Sequence, residues 1–346
     1  MKSGRFGEPI VYLIIVIALA FVPLYVKNLY WLGVVMTMLI NVLIVSSFWL
    51  IMTTGQVNLG HAAFAAIGAY MSAALVSAYG FSSWVSLPLA LATAGVIALI
   101  IGVITLRITG IYFIITTIAL AEVTRIVFGM WEHPFGGLVG ILNLKPPTPL
   151  ALPFLPVIDF TSKQALYYVV LVFVLAGIFI VRRLDRSSIG LIFRGIQYSD
   201  NLAEHVGINI MAYKVLAFVV GSMCAALGGV LYTYTTGAIL PTSFTMTQAN
   251  YYIVWAAVGG LTTFAGPLVG TVSLSSLSEY LRPVKEYEPI IYAGLLIVAV
   301  LVFKGGLVGG VGRLWDSVLL RVKGTGVERT EASEAKANGK RITRSN

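Results

Sequence analysis

An all-α polytopic membrane bundle of about ten transmembrane helices, at least one of them broken or re-entrant, is the fold class that three observations predict. First, 58% of the residues are hydrophobic, 11% are charged and mean hydropathy is +0.91, whereas a soluble domain is about 25% charged. Second, apolar runs recur at about the 20-residue length that crosses a bilayer. Lipid offers backbone amides no partner, so only helices or closed barrels span it, and the length of the runs selects helices. Third, most Lys and Arg flank the runs instead of interrupting them. The net charge of +9 therefore follows the positive-inside rule and is no sign of a nucleic-acid surface.

The first run covers residues 10–26, after Lys2 and Arg5. The Ala18-Leu19-Ala20 stretch imitates a secretory signal. Apolar character continues through Phe21 and Val22, and a second span follows at once, so a retained helix is expected and cleavage is the alternative. Spans at 30–52 and 58–79 are separated by the polar stretch Thr53 to His61, and spans at 84–106 and 111–130 follow. Residues 131–163 carry six prolines and few cations, which suits an ordered external loop. After the span at 164–181, residues 182–212 hold Arg182, Arg183, Arg186 and Arg194 and are assigned to the cytoplasm. Spans at 213–236, 247–262, 266–281 and 289–303 complete the set, with Gly259, Gly260, Gly266 and Pro267 marking the eighth or ninth as broken. Counting from 182–212 puts both termini inside. Lys27 and the Arg282/Lys285 pair are the exceptions, the latter offset by Glu286 and Glu288. Residues 1–312 form one multi-spanning domain, and 313–346, small, polar and mixed in charge, form a largely disordered cytoplasmic tail. Cys224 is the single cysteine, without a disulfide partner or companion metal ligands.

Two polar features enter the membrane. Gly55, Gln56, Asn58, Gly60 and His61 interrupt two strongly apolar spans. Asn58 is placed to cap the next helix, whose freed amides would face an anionic group or a neighbouring helix. From the residues alone this is first a cytoplasmic turn, with His61 a structural hydrogen-bonder, and second a broken helix. Glu122 and Arg125 share one helical face and are expected to form a structural ion pair near the outer end of their span. The chain has no Gly-x-x-x-x-Gly-Lys-Ser/Thr loop, the nearest being Gly339-Lys340 followed by Arg341, so an ATP-driven step would need another subunit. No metal-ligand cluster and no Ser/His/Asp arrangement is evident in it.

The stretch Thr54-Gly55-Gln56-Val57-Asn58-Leu59-Gly60-His61-Ala62-Ala63-Phe64, then Gly68-Ala69-Tyr70, resembles the branched-chain amino acid permeases of ABC importers, the Liv family. Leu106 to Phe113 leading to Ala121-Glu122-Val123-Thr124-Arg125 resembles its central helix. Arg194-Gly195-Ile196 through Asp200, then Ala203 to Asn209 and Tyr213-Lys214, resembles its cytoplasmic coupling segment. Val258-Gly259-Gly260-Leu261 to Gly270 extends the likeness over roughly residues 30–310, and the long N-terminus and Pro-rich loop resemble the LivM-type subunit.

This resemblance implies a permease domain over 1–312 in the plasma (cytoplasmic) membrane. It would import branched-chain or related hydrophobic amino acids. It implies a translocation pathway or gate at Gly55, Gln56, Asn58, Gly60 and His61, and ATPase coupling through Arg194, Asp200, Ala203, Glu204 and Gly207. The family's Glu-Ala-Ala then Gly signature is represented only by Ala203 and Gly207. The implied partners are a LivH-type second permease, two ATP-binding subunits, an extracytoplasmic substrate-binding protein and the lipid bilayer, with no nucleic acid. No cofactor is expected on the chain itself, and no catalysis. The alternatives are a family permease for urea or short amides, an ion-coupled secondary transporter, and a membrane scaffold.

Overall fold

The computed structural model describes residues 7–149, 159–282, 287, 290–295, 297 and 306–309. The predicted tail at 313–346, Lys2, Arg5, Lys285, Glu286, Glu288, Pro153, Pro156 and most of the tenth span at 289–303 lie outside the described residues.

Every named element among the described residues is helical. The long ones are α1 (Gly7–Tyr25), α2 (Leu29–Met52), α3 (His61–Ser77), α4 (Ser83–Thr105) and α5 (Ile111–Met130). A single turn, α6 (Glu132–Phe135), precedes α7 (Lys163–Asp185), α8 (Ser188–Tyr198) and α9 (Asp200–His205). Then come α10 (Ile210–Thr236), α11 (Met246–Gly259) and α12 (Ala265–Leu281). Polar side chains start several of them by accepting a backbone N–H that lacks a helical partner. Asn28 Oδ1 accepts from Tyr30, Ser162 Oγ from Ala165, Ser199 Oγ from Leu202 and Asn209 Oδ1 from Ala212, at 2.9–3.3 Å.

Five helices, α2, α4, α5, α7 and α10, are long and apolar enough to cross a membrane. Ile14–Tyr25 and α3 are apolar but shorter. Helices α11 and α12, with 14 and 17 residues, span about 21 and 26 Å at 1.5 Å per residue, less than the ~30 Å hydrocarbon thickness. They fold back on each other at Gly260, whose φ of +114° is closed to other residues. Trp49 Nε1 on α2 donates to the Leu261 carbonyl in that turn at 2.8 Å.

The core is α2 and α3 packed on α10. Lipid tails are as apolar as Leu, so hydrophobicity alone does not draw these helices together, and close backbone approach through small residues must do it. A Cβ at Gly68 would lie 2.3 Å from the Ala226 carbonyl oxygen, and one at Gly229 would lie 1.9 Å from that of Ala65. Here the α3 and α10 backbones touch, and only hydrogen fits between them. Farther out, α4, α5 and α7 leave Ile104, Ile115, Val172 and Phe179 exposed, a surface made for acyl chains. Part of the predicted external loop is pinned to the bundle: Ile141 and Ile239 exchange backbone hydrogen bonds at 2.9 Å, and Trp84 Nε1 donates to the Thr148 carbonyl at 2.8 Å.

Candidate functional site

The polar break between α2 and α3 is buried and closely tied to its neighbours. Thr53 and Thr54 turn their hydroxyls back onto the Leu50 and Ile51 carbonyls. The Leu59 amide donates to Thr117 Oγ1 on α5 at 3.2 Å, and Gln197 on α8 donates to the Met52 carbonyl at 3.1 Å. Gly55 is exposed beside Gln197, with φ at +81°, whereas Gln56, Asn58, Gly60 and His61 are buried. His61 Nε2 reaches back to α2, 2.9 Å from Ser47 Oγ and 3.1 Å from the Ile44 carbonyl. The expected Asn58 cap does not form. Gly60 is the N-cap of α3 and supplies no side-chain bond, because the chain makes one more turn before the helix begins. Both polar atoms of the buried Asn58 amide are left without a partner, as is His61 Nδ1. Unpaired buried amides are costly.

Two adjoining cavities of about 380 and 450 Å³ lie between α2, α10, α11 and α12. They share Thr37, Asn41, Trp255, Ser278, Glu279 and Arg282. Their rim includes Lys163, the first residue of α7. Helix α7 ends at Asp185, next to α8, so the cavity opens at the end of the bundle opposite α8 and α9. Its inner limit includes Ile40 and Ile44, and below these α2 is buried continuously to Ile51. None of the five break residues lines this space. His61 is tied to it indirectly, through its contact with the Ile44 carbonyl. At the mouth, Tyr30 bridges Glu279 and Arg282 by hydrogen bonds, and Arg282 Nη1 lies 3.2 Å from Glu279 Oε1. The sequence carried a signal for this site that motif reading passed over. Thr37 and Asn41 recur at i, i+4 on α2, and Ser275, Ser278, Glu279 and Arg282 at i, i+3, i+4, i+7 at the end of α12, which is a polar stripe on one face of each helix.

Glu122 and Arg125 form their ion pair on α5 through Nε at 3.0 and 3.1 Å and through Nη2. Both side chains are partly exposed and neither lines the cavity.

At the opposite end, Arg194 on α8 pairs with Asp185 at 2.5 Å, and Asp200 on α9 pairs with Lys214 on α10 at 2.6 Å, the lysine being 4% exposed. Gly207 ends α9 at φ +81° with open space around it, which lets the chain reverse into α10. Ala203, expected on the docking face, instead points inward at 4% exposure, because α9 is held down through the neighbouring Asp200. The outward face is Leu202 and Val206, 64% and 74% exposed, with Tyr198 and Glu204 beside it. These apolar residues were not picked out from the sequence.

Residues 28–304 match the family model described as branched-chain amino acid transport system / permease component. The chain is 26% identical over 266 residues to the high-affinity branched-chain amino acid transport system permease protein LivM of Escherichia coli, covering 71% of this chain and 62% of that protein. It is 29% identical over 153 residues to the LivH protein of Salmonella typhimurium, covering 43% of this chain and 48% of the relative. A probable LivH of Methanocaldococcus jannaschii is 21% identical over 271 residues, or 74% of this chain and 84% of the relative. The chain thus spans somewhat less than two thirds of the length of the LivM relatives. No solved structure gives a significant match.

Proposed function

We propose, on the premise that this chain belongs to the family of branched-chain amino acid transport system permease components, that it is the membrane-spanning permease of an ATP-driven importer for branched-chain or related hydrophobic amino acids. It crosses the plasma membrane about ten times, with both termini cytoplasmic and the α2–α3 break serving as a gate element. It works with a second permease of the LivH type, two ATP-binding subunits and an extracytoplasmic binding protein, and it hydrolyses nothing itself.

The observation that carries this reading is the cavity between α2, α10, α11 and α12, open at the end away from α8 and α9 and stopped at Ile44. That is the form of an outward-facing vestibule above a closed inner gate, as alternating access requires. Its floor meets His61, so a shift of α3 relative to α2 would open the path inward. The exposed Leu202 and Val206 on α9 suit a groove on an ATPase, and the Asp200–Lys214 pair would transmit force from α9 into α10.

The test uses the assembled complex in proteoliposomes. Leucine uptake should require ATP, the ATPase subunits and the binding protein. Leu202→Asp with Val206→Asp should leave membrane insertion intact, remove ATPase co-purification and abolish uptake. Uptake driven by an ion gradient in the chain alone would replace this reading with a secondary carrier. Normal ATPase association in the double variant would remove α9 from the coupling role.

A further inference from the structure

The mouth of the cavity carries chemistry that the family match does not assign. Glu279 and Arg282 face it at the end of α12, linked by Tyr30 from α2, with Lys163 at the rim. Deeper, Trp255 and Ser275 line the same space at 3% and 8% exposure, and neither the indole N–H nor the serine hydroxyl has a hydrogen-bond partner. The adjoining part of the wall is rich in aromatic rings, with Tyr232, Phe244, Tyr251 and Tyr252 beside Ser243 and Gln248. Paired charges at the mouth thus share one space with unused neutral hydrogen-bonding groups and an aromatic wall.

We propose that this wall is a substrate subsite for zwitterionic α-amino acids, in which Arg282 receives the carboxylate, Glu279 receives the ammonium group and Trp255 and Ser275 supply the neutral hydrogen bonds. The inference rests on the importer reading above and names the permease's own contribution to selectivity.

The physical reason is charge balance. Glu279 and Arg282 neutralise each other at the cavity mouth. A zwitterion entering between them replaces one ion pair by two and leaves neither Glu279 nor Arg282 unmatched. An analogue with only a carboxylate leaves Glu279 without its partner and one with only an ammonium leaves Arg282 without its own, the loss being moderated by water because the Arg282 side chain is 61% exposed and that of Glu279 is 22% exposed. The combined space, about 380 and 450 Å³ in adjoining parts, falls in the range of small-molecule sites, roughly 300–1,000 Å³. The aromatic wall offers ring faces against which the amino acid's side chain packs.

The experiment is saturation-transfer NMR titration on the full chain in nanodiscs, a method suited to weak binding. The probes are leucine, leucinamide without the carboxylate, and 4-methylpentanoate without the ammonium. Leucine should bind about tenfold or more tightly than either analogue, the size of one lost charge-assisted hydrogen bond. Arg282→Gln should weaken leucine about tenfold and erase its advantage over leucinamide. Glu279→Gln should erase its advantage over 4-methylpentanoate. Arg282→Lys and Glu279→Asp should restore part of each, which separates recognition from misfolding. No leucine signal from the wild-type chain, or equal affinities for the three probes, overturns the proposal, as do unchanged ratios in the Gln variants, which would make the triad a structural latch. ATP-dependent leucine uptake alongside equal probe affinities sinks the subsite alone. A preserved charge preference without ATP-dependent uptake sinks the importer reading alone.

Discussion

Replacing Gly229 by Ala tests whether backbone contact between α3 and α10 holds the bundle together. The added Cβ would sit 1.9 Å from the Ala65 carbonyl oxygen, whereas real Cβ atoms essentially never come closer than 3.0 Å. The helices must therefore part by at least 1.1 Å at this point, the difference between those two distances. The obstacle is backbone and cannot rotate away. Overpacking of this kind costs about 1–3 kcal/mol, and parting the helices also forfeits dispersion along both faces. Against this, Ala gains up to about 1 kcal/mol of helix propensity over Gly. A net loss of about 1–2 kcal/mol, or roughly a 5- to 30-fold shift toward the unfolded state, is expected. The measurement is reversible unfolding in SDS and detergent mixtures, with Gly33→Ala as the comparison, since a Cβ at Gly33 meets nothing within 4 Å. Gly33→Ala, inside α2 and free of any clash, should be neutral to about 1 kcal/mol more stable than wild type. Equal stability of the two variants would refute the account of the core.

Breaking the Asp200–Lys214 pair with Asp200→Asn should cost about 1–3 kcal/mol, below the 3–5 of a fully buried pair because Asp200 is 39% exposed while Lys214 is 4% exposed. Adding Lys214→Met should recover most of the loss in thermal unfolding, and no recovery would show that the pair is not the coupled unit. After replacement of the buried Cys224, a cysteine at the exposed Gly195 should label only from the cytoplasm and one at Leu138, 81% exposed, only from outside. Labelling of both from one side would overturn the orientation.

The sequence alone determined the helical membrane architecture, because apolar runs and flanking Arg residues act on each span separately. Span starts were legible to within a few residues, and Asn28, Ser162 and Asn209, which the sequence reading did not single out, cap the helices that begin there. The Glu122–Arg125 contact was legible because its partners are one helical turn apart. Tertiary structure decided the rest. Asn58 lost its capping role when the chain used Gly60 instead, and Ala203 turned inward once Asp200 docked on Lys214. The polar stripe of α12 gained meaning only when it met Tyr30, Thr37 and Asn41 across a cavity. Periodicity fixes which residues share a face, but in a membrane an apolar face can meet lipid or protein at nearly equal cost. Which faces meet is therefore settled by shape: by where two glycines let backbones touch, and by which polar stripes that contact leaves opposite each other.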